Sequence, residues 1–289
     1  MTALELPRVA HRFADVDGVR VFYREAGDPD APTLLLLHGF PSASHQYRRL
    51  IDALGGRYHL IAPDYPGFGH SDAPASLTYT FDLLADVVEG FCEALGLHRF
   101  TLYAFDFGSP VGFRLAARHP EWIAGLVVQN GNAYEEGLSP IARAFVAERP
   151  GTEGSEERLR QMLTPGFTRG QYEGGTTDAS TVPPESWLLD QHFLDLPGRD
   201  VIQLQLAYDY HSNVGLYPRW QAWLRKHQPP TLVLWGNRDA IFVEAGAHAF
   251  LRDVPDAEVH SFDTGHFALE ECVGEIAPLI ADFLDRTWA

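Results

Sequence analysis

The chain has 289 residues and carries 22 Lys+Arg against 39 Asp+Glu, a formal charge of −17 at pH 7. That balance excludes nucleic acid and anionic membrane surfaces as partners. Its 45% apolar and 12% aromatic residues suit a globular chain with a lined pocket, and its two cysteines, Cys92 and Cys272, offer no disulfide framework and are expected in the core.

Residues 1–12 lack a basic segment followed by an apolar core, and no apolar run approaches the roughly 18 residues of a membrane span, so a cytoplasmic chain without membrane partners is expected. Two strands, Val9–Val16 and Val19–Ala26, flank Asp17-Gly18, a hairpin signal. The continuous run Thr33–Leu37 reads as a strand buried on both faces of a parallel sheet, and it leads into His38-Gly39-Phe40-Pro41. Helical spacing over 46–54 and a strand at 58–62 follow. Gly67-Phe68-Gly69 is not a dinucleotide fingerprint: the third Gly is missing and no helix opens there. The spacing of Leu84, Val87, Val88, Phe91 and Leu95 predicts a helix over Phe81–Leu95. The apolar run Phe100–Phe105 then meets Asp106-Phe107-Gly108 and a second helical pattern, with Pro110 in its first turn and Pro120 as its stop. Another buried strand spans 125–129. Strand and helix alternate throughout, which calls for a parallel sheet with right-handed crossovers.

The pattern changes near residue 133. Residues 148–185 are rich in Gly, Pro, Thr and Glu, with one amphipathic stretch at 156–163, and short helical pieces follow at 188–193, 201–209 and 220–226. After Pro229-Pro230 the alternation returns as a strand at 231–235, a helix at 243–251, a strand at Glu258–Phe262 and a final helix at 273–288. The reading is an α/β core, 1–133 and 226–289, interrupted by a helical cap, 134–225. A cap over the carboxyl ends of the strands closes a pocket where open α/β sheets bind ligands. The aromatics Trp187, Phe193, Tyr208, Tyr210, Tyr217 and Trp220 are expected to set its size.

Ala104-Phe105-Asp106-Phe107-Gly108 joins a strand to a helix through a sharp turn, with small residues two positions to either side of an acidic apex. An apex residue in such a turn is strained, often at positive φ, which Asp tolerates better than most. Asp106 could equally be a plain helix N-cap. The stretch resembles the nucleophile elbow G-x-S-x-G of the α/β-hydrolases, with Ala104 for the first Gly and Asp106 for the Ser. The resemblance implies an α/β-hydrolase fold: a mostly parallel sheet with helices on both faces and a helical cap. It also implies a histidine in the loop after the last strand, where His266 stands, and an orienting acid after an earlier strand, where Asp239 stands. The order nucleophile, acid, histidine, each just past a buried strand, is hard to reach by accident. The rival acid position after the strand at 125–129 offers Asn130, Gly131 and Asn132, without a carboxylate. Oxyanion donors would be the backbone N–H groups of Phe107 and Phe40.

A carboxylate at the apex displaces leaving groups from sp³ carbon and forms an alkyl ester; acyl transfer would need Ser at 106. The chain resembles the epoxide hydrolase and haloalkane dehalogenase branch over nearly its full length. His38-Gly39-Phe40-Pro41 matches the epoxide hydrolase H-G-x-P, and Ala104 to Ser109 matches its small-x-nucleophile-x-small-small. This implies a small apolar organic substrate and no cofactor; no His/Cys/Asp/Glu spacing suggests a metal. The family donates to the epoxide oxygen from two cap tyrosines. Tyr210 matches the later one; Ala144-Phe145-Val146 stands where the earlier one belongs and has none, and Tyr134 is the nearest. The alternatives are a haloalkane dehalogenase, for which Phe40 and Phe107 lack the side-chain N–H groups that hold halide, a fluoroacetate dehalogenase, which lacks its arginines here, and a non-catalytic binding module. Oligomeric state is not legible.

Overall fold

The leucine run of the third strand shows how the core is laid out. Leu34 and Leu36 pack into one apolar cluster and Leu35 and Leu37 into another, on opposite faces of the sheet, and all four are fully buried. Period-two alternation with no polar face is what a strand covered on both sides requires. Burial of each such side chain contributes about 1.5–3 kcal/mol.

The computed structural model describes residues 7–289. Its strands are β1 (Val9–Val16), β2 (Val19–Ala26), β3 (Thr33–Leu37), β4 (His59–Pro63), β5 (Phe100–Phe105), β6 (Ile123–Gln129), β7 (Thr231–Gly236) and β8 (Glu258–Phe262). They form one eight-stranded sheet in the order β1-β2-β4-β3-β5-β6-β7-β8. β2 pairs antiparallel with β1 and β4, and every other pair is parallel. Asp17 and Gly18 both take positive φ (51° and 82°), as a two-residue hairpin turn demands.

The helices are α1 (Arg48–Leu54), α2 (Phe81–Leu95), α3 (Gly108–Arg118), α4 (Pro140–Val146), α5 (Ser155–Gln161), α6 (Pro165–Glu173), α7 (Pro184–Leu194), α8 (Arg199–Asp209), α9 (His211–His227), α10 (Ala245–Ala249) and α11 (Ala268–Thr287). α2 and α3 cover one face of the sheet, α1 and α11 the other. α2 starts where Thr80 accepts a hydrogen bond from the Leu83 N–H and ends at Gly96, which is left-handed at φ 68°. The chain between β6 and β7 holds α4 to α9 and no strand. No described helix is long and apolar enough to cross a membrane.

Several boundaries differ from the sequence reading. Residues 46 and 47 belong to a 3-10 turn, Ser44–Tyr47, so α1 begins only at Arg48. The piece expected at 220–226 is the end of a helix that starts at His211, and α11 starts at Ala268 rather than 273. The piece expected at 243–251 is five residues of α10 plus a 3-10 turn, Phe250–Arg252. α4 and α6 were not anticipated. Each opens with Pro at its first turn, and Ser139 caps α4 through the Ala142 N–H. α6 carries Gly166 and Gly170, which read as loop because glycine disfavours helix interiors. Cys92 is in the core as expected, but Cys272 is only partly buried.

Candidate active site

Asp106 stands between β5 and α3 at φ 46°, in the left-handed region. Two glycines make room for it. A Cβ on Gly108 would collide with the Leu37 carbonyl, and a Cβ on Gly39 with the Asp106 side chain itself. The loop after β3 therefore approaches Asp106 closely, and the Phe40 N–H donates to Asp106 Oδ1 at 2.6 Å. His38 steadies that loop: its Nε2 accepts from the Tyr65 N–H at 3.1 Å and its Nδ1 lies 3.2 Å from the Gly39 carbonyl. Burial pushes the His38 pKa down to about 4, so it is a neutral structural imidazole.

The other two polar residues come from neighbouring strand ends. Asp239, in the loop after β7, accepts through Oδ1 from the N–H groups of Ile241 (2.7 Å) and Phe242 (3.2 Å). Its Oδ2 accepts from Asn130 Nδ2 at 2.9 Å and from His266 Nδ1 at 2.6 Å. His266, after β8, points Nε2 at Asp106 Oδ2 across 3.8 Å, just beyond direct hydrogen-bond reach, and that nitrogen makes no hydrogen bond among the described residues. All three side chains are buried. Asp106, Asp239 and His266 thus converge, with Phe40 N–H beside them.

Burial raises the Asp106 pKa; His266 and the N–H groups of Phe40 and Phe107 oppose that. Burial lowers the His266 pKa, but the Asp239 carboxylate, its hydrogen bond and Asp106 together outweigh it, and the net direction is up.

Tyr210, at the junction of α8 and α9, is buried with its ring 5.8 Å from that of Phe107 and 5.2 Å from that of Phe145. It lines a cavity of about 220 Å³ together with Phe40, Asp106 and Phe107. Burial first, then Tyr217 and Asp106, push its hydroxyl well above the ordinary tyrosine value, so it stays protonated. Phe145 lines the same cavity. Tyr134 lies elsewhere, fully buried and donating to Asp253 Oδ2 at 2.9 Å, so it is no second donor for this site.

The expectation for the pocket-sizing aromatics is corrected. Of the six residues named, only Tyr210 lines the cavity. Trp220 stacks on Phe113, Tyr217 packs against Trp220, Phe193 meets His70, and Trp187 lies under Arg169. The walls are instead Phe145, Leu159, Met162, Leu163, Phe167 and Leu204, from α4, α5, α6, α8 and the turn after α5. Sequence reasoning also missed Asn130. It sits at φ 39°, and its amide bridges β6 to β7 by accepting from the Gly236 N–H and donating to Asp239. The signal was there: an Asn at a strand end tolerates the left-handed region, as few residues do.

A buried carboxylate facing a backbone donor and an acid-held imidazole thus lie together at the carboxyl ends of parallel strands. The alpha/beta hydrolase fold family profile matches residues 32–272, and the chain belongs to the α/β-hydrolase family, in the branch of the haloalkane dehalogenases and epoxide hydrolases. It is 42% identical over 272 residues to an uncharacterized hydrolase, YNR064C, of Saccharomyces cerevisiae, covering 92% of this chain and 94% of that one. It is 31% identical over 276 residues to a haloalkane dehalogenase of Mycobacterium marinum, covering 92% and 89%. It is 27% identical over 262 residues to epoxide hydrolase 2 of Caenorhabditis elegans, covering 86% and 72%.

Proposed function

We propose that the protein opens epoxides to diols through an alkyl ester on Asp106, under a helical cap formed by residues 134–225. Asp106 Oδ2 attacks a ring carbon; the new C–O bond forms as the ring C–O bond breaks, and the departing oxygen takes a proton from Tyr210. His266 Nε2 then removes a proton from a water, which adds to the Asp106 carboxyl carbon. Negative charge collects on Oδ1, where the N–H groups of Phe40 and Phe107 stabilise it. Collapse breaks the bond from that carbon to Oδ2; the departing alkoxide oxygen takes the proton from His266 and leaves as the diol, and the proton remaining on the Asp106 carboxyl returns to Tyr210 through solvent. Asp239 keeps the imidazole in the tautomer that accepts at Nε2.

The observation that carries this reading is the division of labour on Asp106. Oδ1 is held by the Phe40 N–H, while Oδ2 faces His266 across 3.8 Å. A second reading, haloalkane dehalogenase, has the Mycobacterium marinum relative in its favour. It needs side-chain N–H groups for halide, and phenylalanines stand at 40 and 107. A tyrosine hydroxyl suits an alkoxide, which needs a proton; halide does not.

Tyr210→Phe therefore separates the two. With epoxides, alkylation of Asp106 is expected to slow by about 10²-fold or more, since a positioned acid contributes roughly 10²–10⁴-fold. Rapid-quench measurement of the ester gives this rate directly. Unchanged epoxide turnover would make Tyr210 a packing residue, and turnover of haloalkanes alone would establish the second reading.

The pH dependence follows from His266. A base must be neutral to accept a proton, so activity is lost as pH falls through its pKa, which in the resting protein lies above the ordinary 6.5. Esterification removes the Asp106 charge, one of the causes of that rise. Ester hydrolysis is therefore expected to persist to lower pH than the resting titration suggests. NMR titration of His266 and single-turnover hydrolysis rates check this: the kinetic midpoint should fall below the NMR midpoint, and the reverse order would contradict it.

A further inference from the structure

The cavity is apolar except at a few points, and two of them have no role in the reaction. Gln171 and Gln203 are both more than nine-tenths buried, and both line the cavity. Gln171 Nε2 and Gln203 Oε1 are enclosed and make no hydrogen bond among the described residues. Helical spacing turns both side chains inward. Gln203, Leu204, Ala207 and Tyr210 lie on one face of α8, and Phe167 and Gln171 on one face of α6, and all of them line the cavity. Buried polar groups are nearly always hydrogen-bonded, so two side chains that line one cavity and each hold an unpartnered buried atom call for a partner.

We propose that Gln171 and Gln203 bind a neutral hydrogen-bonding group, such as an amide, hydroxyl or carbonyl, at the end of the substrate remote from the reacting carbon. Seven residues of helix separate Gln203 from Tyr210, a rise of roughly 10 Å at 1.5 Å per residue. The substrate then carries its epoxide beside Tyr210 and its polar group about that far along an apolar body. A charged group is not called for. Apart from Asp106, the charged residues at the cavity wall are Glu148 and Arg158, which satisfy each other through two hydrogen bonds of 2.6 and 2.9 Å. Placing this group on a substrate rests on the reaction proposed above; the binding itself does not.

Calorimetric binding of two unreactive probes tests it: 4-phenylbutanamide and butylbenzene, which share the apolar body and differ in the amide. The quantity read is the ratio of their affinities in the wild type, Gln171→Leu and Gln203→Leu. Each substitution is expected to lower the amide-to-hydrocarbon ratio by about tenfold or more, because it removes a partner from the amide and an unpaired polar group from the hydrocarbon's site. Thermal unfolding checks that each variant is folded, and Gln171→Met and Gln203→Met replace any that is not. A ratio unchanged in both positions would overturn the inference. A shifted ratio in a protein that turns over no epoxide would support the polar subsite while removing the proposed reaction.

Discussion

His266→Gln is expected to stop the protein halfway through its reaction. Attack by Asp106 on carbon uses no proton acceptor, so the first step survives. The second step loses its base, which contributes roughly 10²–10⁴-fold. The ester should accumulate, and mass spectrometry should find the mass of the epoxide added to the peptide that carries Asp106. The substitution also removes the His266 charge, which opposes the burial-driven rise of the Asp106 pKa, so alkylation should need a higher pH than in the wild type. Normal turnover by this variant would rule out His266 as the base.

Asp239→Asn is expected to cost nearly as much for a different reason. An Asn oxygen can still accept from the N–H groups of Ile241 and Phe242, so the loop keeps its shape. The amide NH2 then replaces an oxygen that accepts from both His266 Nδ1 and Asn130 Nδ2. Facing a donor, the imidazole is driven to the tautomer protonated at Nε2, which cannot take a proton from water. The same change in a serine protease triad lowers kcat by about 10⁴, and a loss on the order of 10³–10⁴ in ester hydrolysis is expected here. Two donors face each other at Asn130, so stability should also fall by about 1–3 kcal/mol, readable by denaturant unfolding. Hydrolysis within a few-fold of the wild type would mean that Asp239 does not set the tautomer.

The elements that a sequence states locally were legible. Strands β3, β5 and β8 and helix α2 begin and end where their apolar runs, caps and turn residues say. So do β1 and β2, because Asp17-Gly18 leaves few other turns. The positions of Asp106, Asp239 and His266 were legible for a related reason: each follows a strand, and parallel strands bring their carboxyl ends together, although β8 before His266 is an edge strand buried only at Phe262 and not the buried strand expected. The cavity wall was not. Which face of a short helix looks inward depends on packing against elements far away in the chain. Trp220 and Phe193 carry the same hydrophobic signal as Phe145 and Phe167, yet only the latter pair reaches the cavity. Nothing in the sequence singles out Gln171 and Gln203, because polarity alone does not distinguish an exposed amide from a buried one. Asn130 drew notice only as a missing carboxylate, and its use as a bridge depends on β6 lying beside β7.

The central claim is that water attacks the enzyme and not the substrate. A single turnover with protein in excess, run in ¹⁸O-labelled water, tests it most directly. The account predicts one ¹⁸O in the side chain of Asp106 and none in the diol, because the oxygen passed to the substrate comes from the carboxylate. Label in the diol with an unlabelled Asp106 would mean direct attack by water on the epoxide and would contradict the account.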